Sequence, residues 1–216
     1  MTKIHYTKQY TEPSDLVALL KSRGVIINND AEAAEYIKSI GYYRLSAYMY
    51  PYLKDPKENH IYQDNVSFND DILMLYRFDK KLKMLLLNEI EKIEVAVRSA
   101  VVNIGCKHTG NPFWMTDINN FVDAVRFNDA LSFFSQINSI SPMLPRHTAG
   151  MGWLHSNLDI KRTYFDICII KYFIDRISPN NDMAQKLRKL LSDFPKVATA
   201  EMGFPNNWAD EDIWKI

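Results

Sequence analysis

The stretch from Ser67 to Asn103, SFNDDILMLYRFDKKLKMLLLNEIEKIEVAVRSAVVN, contains neither proline nor glycine. Its apolar residues Leu75, Phe78, Leu82, Leu85, Leu86, Ile90, Ile93, Val97 and Val101, continued by Ile104, recur at steps of three and four, the period of a helix with one apolar face. Ser67 with Asp70 three residues later resembles a capping box, and Gly105 is the expected stop. At about 1.5 Å per residue such a helix spans roughly 55 Å, more than a small domain, so the reading is one long core helix or two nearly collinear ones with a break near the middle.

The polar residues are sorted along this stretch. Lys80, Lys81 and Lys83 crowd its first half; Glu89, Glu91 and Glu94 occupy the second, with Glu94 four residues before Arg98, the favourable order for a helical ion pair. A solvated face accounts for them at a few tenths of a kcal/mol per pair. The alternative is a charged line beside a site.

The remainder must pack on that helix. With 47% hydrophobic and 24% charged residues and only 7 Gly against 12 Tyr, 11 Phe and 4 Trp, the chain suits close-packed helices, and an all-α fold follows. Lys plus Arg equals Asp plus Glu at 26 each, so a nucleic-acid site would have to be a local patch rather than a global field. Cys106 and Cys168 are too few for a disulfide framework and too far apart in sequence for a metal-ligand pair, which fits a reducing cytoplasm. No signal-peptide-like run opens the chain and no segment has the ~18 consecutive apolar residues of a membrane span, so no membrane association is expected.

Ahead of the long helix, Thr11 or Ser14 caps an expected helix to Arg23, with Pro13 near its start and Gly24 past its end; Asn29 or Asp30 caps a second, Ala31 to Ile40, closed by Gly41. The aromatic segment Tyr42–Tyr50 follows, expected to stop near Pro51. Leu53 to Val66 reads as a loop with an extended piece at residues 60–62. Beyond the long helix a turn cluster, residues 107–112, precedes an amphipathic helix capped by Asp117 and running to Gln136. Ile137 to Gly152 holds Pro142, Pro145, Gly150 and Gly152 and reads as a loop. Asp159 to Ile177 and Asp182 to Leu191 read as further helices. The irregular tail carries Met202, Phe204, Trp208, Ile213 and Trp214 and is expected to dock. No repeat or linker divides the chain: 1–66 forms an N-terminal helical part, 67–136 the central helices, and 137–216 the C-terminal helices and tail of one domain.

No glycine-rich phosphate loop, HExxH, CxxC or GxSxG occurs, so no metal, no cofactor and none of the standard small-molecule chemistries is indicated. His5, His60, His108, His147 and His155 are scattered; the densest polar group is Arg146-His147-Thr148 with His155 after it. Lys80-Lys81-Lys83, Lys161-Arg162 and Lys186-Arg188-Lys189, with aromatics interspersed, could make a phosphate-binding surface, although solvated helix faces explain them as well.

Three blocks together resemble a known family: IGYYRLSAY at Ile40–Tyr48, LYRFDKKLKMLLLNEIEKIEVAVRS at Leu75–Ser99, and FPKVATAEMGFPNNW at Phe194–Trp208. In this order, over nearly the whole chain, they are similar to the Abi-like proteins, the AbiD/AbiF type of bacterial abortive-infection factors. The resemblance implies a HEPN-type helical bundle with an N-terminal helical subdomain, a role in phage resistance, and metal-independent RNA cleavage, commonly as a homodimer. The family's signature is an Arg, usually followed by Asn, with a His after four intervening positions. In such a site His moves the 2′-hydroxyl proton or stabilises the leaving group and Arg neutralises the phosphorane-like transition state.

No arginine here has a histidine five residues on: Arg98 meets Asn103, Arg126 Leu131, Arg146 Met151 and Arg162 Ile167. In the family a helical region ending in the Arg/His segment precedes a proline-containing stretch similar to Ser141–Pro145. Here Ser135-Gln136 runs almost directly into Ile137. A family segment is therefore expected to be missing between 136 and 137, through an ordered portion of a longer protein, an excision, or natural degeneration. The undamaged flanks favour the first two. No catalytic residue carries over. The RNA-binding or site-bracing candidates are Arg77, Glu91, Glu94 and Arg98, in the most recognisable block, with Arg146, His147, Lys161 and Arg162.

Overall fold

The computed structural model describes residues 10–54, 60–128 and 162–215. Among them the regular structure is helical: α1 (Pro13–Ser22), α2 (Asp30–Ile40), α3 (Tyr42–Met49), α4 (Met74–Thr109), α5 (Thr163–Ile177) and α6 (Met183–Asp193), with short 3₁₀ turns between and after them. No described helix is long and apolar enough to cross a membrane.

The first three helices enclose a core of their own. Val17 and Leu20 of α1, Ala33 and Ile37 of α2, and Leu45, Tyr48 and Met49 of α3 are buried together with Phe68, Ile72 and Leu73 just before α4. Glu12 rather than Thr11 or Ser14 stands at the start of α1, without a side-chain cap. Asn29 accepts the Glu32 N–H and caps α2. The connection from residue 60 to 67 makes two isolated bridges separated by a turn at residues 64–65: Leu53 bridges Tyr62, and Ile26 bridges Ser67 in parallel sense, so the entry of the long helix is tied to the turn after α1.

Tyr62 lies in that connection, 5% exposed, its hydroxyl 3.5 Å from the Met49 sulfur. Burial pushes its phenol up to about 12. A folded value above the unfolded value of about 10 means stability is intact below pH ~10 and is lost as pH rises towards about 12. Tyr62→Phe is expected to leave stability at neutral pH within about 1 kcal/mol and to remove on the order of 2 kcal/mol of the alkaline loss. Denaturant melts of both proteins at about pH 8 and pH 11.5 read this directly; parallel losses would refute it.

The long helix opens with a wide turn. The Ile72 and Asp71 N–H groups both reach the Ser67 carbonyl, at 3.3 and 3.2 Å, and residues 68–73 form a π-helical turn before α4 proper. Ser67 Oγ accepts the Asp70 N–H, as expected of the cap, while the Ser67 N–H donates to the Asp71 carboxylate at 2.8 Å. The wider turn moves the reciprocal acid of the capping box one residue on.

From Met74 the helix is continuous to Thr109, so the mid-helix break does not occur. Nor does Gly105 end it. The left-handed residue that closes α4 is Gly110, φ 67°, and Gly105 serves close packing: a Cβ there would lie 2.2 Å from the Trp114 indole. The chain doubles back after Gly110 and lays Trp114 on the helix where a side chain is missing.

The expected helix from Asp117 is also corrected. Asp117 caps only a 3₁₀ turn, Ile118–Asn120, and helix begins at residue 124, continuing to the end of that described stretch at 128. Asp117 holds the Asn119 N–H and the Asn120 amide holds the Trp114 carbonyl, local bonds that compete with helix formation. The remainder of the 117–136 helix, the 137–152 loop and Ile160 lie outside the described residues.

A second core forms where α5 and α6 meet α4. Phe78, Leu82 and Leu86 pack with Ile167 and Ile174 of α5, Met183, Leu187 and Leu190 of α6, and Phe204 and Trp214 of the tail. The tail docks as its apolar content predicts. Arg188 of α6 donates to the Ala209 and Trp214 carbonyls at 3.1 and 2.7 Å.

Beyond Ile93 the core stops. Val97, Val101 and Ile104, expected to continue the buried stripe, are 51%, 48% and 68% exposed. The apolar period runs on, but among the described residues the turn that carries Trp114 is what lies against this half of the helix, at Gly105.

Candidate functional site

The outer side of distal α4 carries the charged line. Glu91, Glu94 and Arg98 are exposed, and Arg98 Nη2 donates to Glu94 Oε1 across one helical turn. Both side chains are about half exposed, so the pair adds only ~0.3–0.5 kcal/mol. Its interest is chemical: a guanidinium oriented by a carboxylate and open to solvent can take an anionic oxygen on its remaining N–H donors. Val95, Val97 and Val101 flank it, exposed.

Arg77 is not part of that line. It stands 21 residues before Arg98 on the same helix, roughly 30 Å away along the axis. Its guanidinium donates to the Tyr36 hydroxyl at 3.0 Å and lies 5.8 Å from that ring. It therefore fastens α2 to α4. Arg162 precedes α5 and is exposed. Arg146, His147 and Lys161 lie outside the described residues.

Most of the basic clusters are also used internally. Lys83 pairs with Asp79, Lys81 sits 5.0 Å over the Phe194 ring, Lys186 pairs with Asp182 at 2.8 Å, and Arg188 clamps the tail. Hydrogen bonding from Lys186 holds the Asp182 carboxyl below its ordinary range, and the same bond holds the Lys186 ammonium above its own. A phosphate-binding surface assembled from these lysines would have to break such pairs.

The residue that sequence reasoning missed is Glu89. It faces the core from the middle of α4 with its side chain 0% exposed. Lys92 Nζ donates to both its oxygens at 3.0 and 2.9 Å, and Asn88 Nδ2 to one at 2.9 Å. Across from it, at the start of α6, stands the Asp182–Lys186 pair. Its position was readable: three residues after Leu86 and four before Ile93, Glu89 falls on the apolar stripe itself. On α5, Lys171 is buried at 6% exposure and ion-paired with Asp175, whose carboxylate also accepts from Asn181 at 2.7 Å.

A family model for Abi-like proteins matches residues 35–177. That span takes in most of α2, all of α3 and α4 with the charged line and Glu89, and α5. No curated protein matches the chain, and no solved structure does. The matched span covers more than half of the 216 residues and includes the helix on which both cores are built; the chain belongs to the Abi-like family of abortive-infection, phage-defence proteins.

Proposed function

We propose that this protein is the helical scaffold of a HEPN-type, metal-independent ribonuclease of phage defence, acting on RNA in the cytoplasm as a homodimer. The observation that carries the reading is the exposed Glu94–Arg98 pair on the distal half of α4, inside the family match. In a complete site the family's His would move the 2′-hydroxyl proton and its Arg would neutralise the pentacovalent phosphorus. Arg98, oriented by Glu94, would hold a neighbouring phosphate. The exposed apolar side chains of distal α4, with Phe165, Ile169 and Tyr172 on α5, support association, since surfaces of this kind are characteristic of partner contacts.

The Arg/His pair itself is absent from the 216 residues. That favours a second reading, a non-catalytic RNA- or protein-binding regulator that retains the fold.

RNA binding and cleavage, measured without divalent metal, separate the two. The 216-residue chain is expected to bind single-stranded RNA with a steep salt dependence and not to cleave it. A form carrying the Arg/His segment between 136 and 137 is expected to cleave, and Arg98→Ala in that form to slow cleavage about ten- to hundredfold, the scale of a ~1 Å misplacement at a reacting centre. Cleavage by the 216-residue chain would refute its inactivity. No cleavage by the extended form would leave the regulator, and unchanged binding and cleavage in the Arg98 variant would return that residue to an ordinary solvated face.

A further inference from the structure

The distal half of α4 carries a narrow apolar seam that the second core does not use. Ile90, Ile93, Val97, Ala100 and Ile104 follow one another at steps of three, four, three and four, the spacing of a helix that pairs with another helix. The seam runs about 21 Å along the axis. Ile93 reaches the edge of the second core, whereas Ile90, Val97, Val101 and Ile104 are exposed. Trp114 packs beside the seam, at Gly105, and leaves these side chains open.

The two rims of the seam differ. At about 100° per residue, Glu94 and Arg98 fall to one side of Val97, and Ala96 and Ala100 to the other. One rim is charged and holds the Glu94–Arg98 ion pair; the other is small and uncharged. This asymmetry decides how a second copy of α4 can lie along the first. A parallel twofold would turn the charged rim of each copy onto the alanine rim of the other. An antiparallel pair with its twofold at Val97 brings both charged rims to the same side. Ile90 then meets Ile104 of the other copy, Ile93 meets Val101, and Val97 meets its own counterpart. Glu94 of each copy stands about 3 Å along the axis from Arg98 of the other, nearer in level than its own Arg98 at about 6 Å. Each carboxylate so gains a second guanidinium, and both arginines stay at the rim with their outward N–H groups towards solvent.

We propose that the distal halves of α4 from two copies of this chain pair antiparallel about a twofold at Val97, closed by crossed Glu94–Arg98 ion pairs on one rim and by Ala96 and Ala100 on the other. The surface is self-complementary in shape and charge, as an isologous interface requires, and the alanines let the two helices approach closely. The pairing rests on the homodimer proposed above and supplies its contact; it involves no RNA, so the RNA reading stands or falls separately.

Solution mass tests it. Sedimentation equilibrium of the 216-residue chain at about 100 μM, where a micromolar association is nearly complete, is expected to return twice the chain mass. Val97→Glu sets two like charges against each other on the twofold and is expected to weaken the dimer about hundredfold or more, as is Val97→Lys. Both are expected to keep the helical circular dichroism of the parent, because Val97 is 51% exposed. An equimolar mixture of the two variants is expected to recover the dimer, since opposite charges then meet at the twofold; misfolded chains would not recover it. Val95→Glu, on the far side of the helix, is expected to leave the dimer intact. A monomeric parent chain would overturn the proposal, whether another segment of the chain or nothing then covers the seam. A dimer that survives Val97→Glu would keep the homodimer and overturn this seam. So would a mixture of the two variants that stays monomeric, or an equal loss of dimer in Val95→Glu.

Discussion

Trp214→Ala is expected to destabilise the protein by about 3–5 kcal/mol, the range for removing a large buried aromatic. Trp214 is 0% exposed although it is two residues from the end of the chain. Its ring meets Trp208 edge to face at 5.5 Å between centroids, and its indole N–H donates to the Tyr164 hydroxyl at 3.0 Å. That hydroxyl in turn donates to the Glu211 carboxylate, and Tyr164 packs 4.8 Å from Phe204. Two α6 bonds from Arg188 hold the backbone on either side of the same contact. Alanine would empty the indole site and also leave Tyr164 without its donor and Arg188 with a poorly placed acceptor. Urea melts give the loss, and hydrogen exchange locates it: protection of residues 204–215 is expected to fall before that of α1–α3, whose core is separate. Trp214→Phe keeps most of the apolar area and loses the N–H, so about 1–2 kcal/mol is expected. A cost below about 1 kcal/mol for alanine would mean that the tail is not a structural part of the second core.

The second large effect is an asymmetry at Glu89. Lys92→Met is expected to cost about 1–3 kcal/mol, whereas Glu89→Gln is expected to be nearly neutral. Removing Lys92 leaves a carboxylate at 0% exposure with only the Asn88 amide as a donor among its described partners. A fully buried pair broken this way loses about 3–5 kcal/mol; the smaller figure applies because the ammonium is 43% exposed and part of its attraction is screened. Glutamine keeps the shape and an acceptor for Asn88 while removing the charge whose desolvation opposed folding. Chemical denaturation of the two single variants and the double variant measures the coupling. Equal costs for the two single variants, or a stabilising Lys92→Met, would show that Glu89 is not held by this pair.

How much of this was legible in the chain differs by element. Helices α1, α2 and α6 follow from their period, with the glycines after α1 and α2 as stops and Asn29 as the cap of α2, because such signals act within a few residues; the cap expected for α1 was not found. Gly105 was misread for the same reason: a glycine in sequence does not say whether it ends a helix or admits a ring, and Trp114, nine residues on, decides it. The expected helix from Asp117 gave way to side-chain bonds within residues 114–120. The family resemblance rested on three blocks; the family model over residues 35–177 takes in the first two and bears the family out, while the block at Phe194–Trp208 lies beyond the match, and the two arginines of the second block have different partners. Arg77 binds Tyr36 and Arg98 binds Glu94, because membership of one sequence block on a long helix permits a separation of about 30 Å.

The sequence alone determined that the chain is helical, that one long segment, as one helix or two collinear ones, organises it, and that the aromatic tail is covered. Each follows from local period and from the cost of leaving apolar surface in water. Tertiary structure decided which half of α4 is covered, and that Glu89 is buried with Lys92 while Glu94 with Arg98 is not. Periodicity tells which side chains share a helix face. Only the arrival of α5, α6 and the tail at one part of that face decides whether a given residue there meets protein or water.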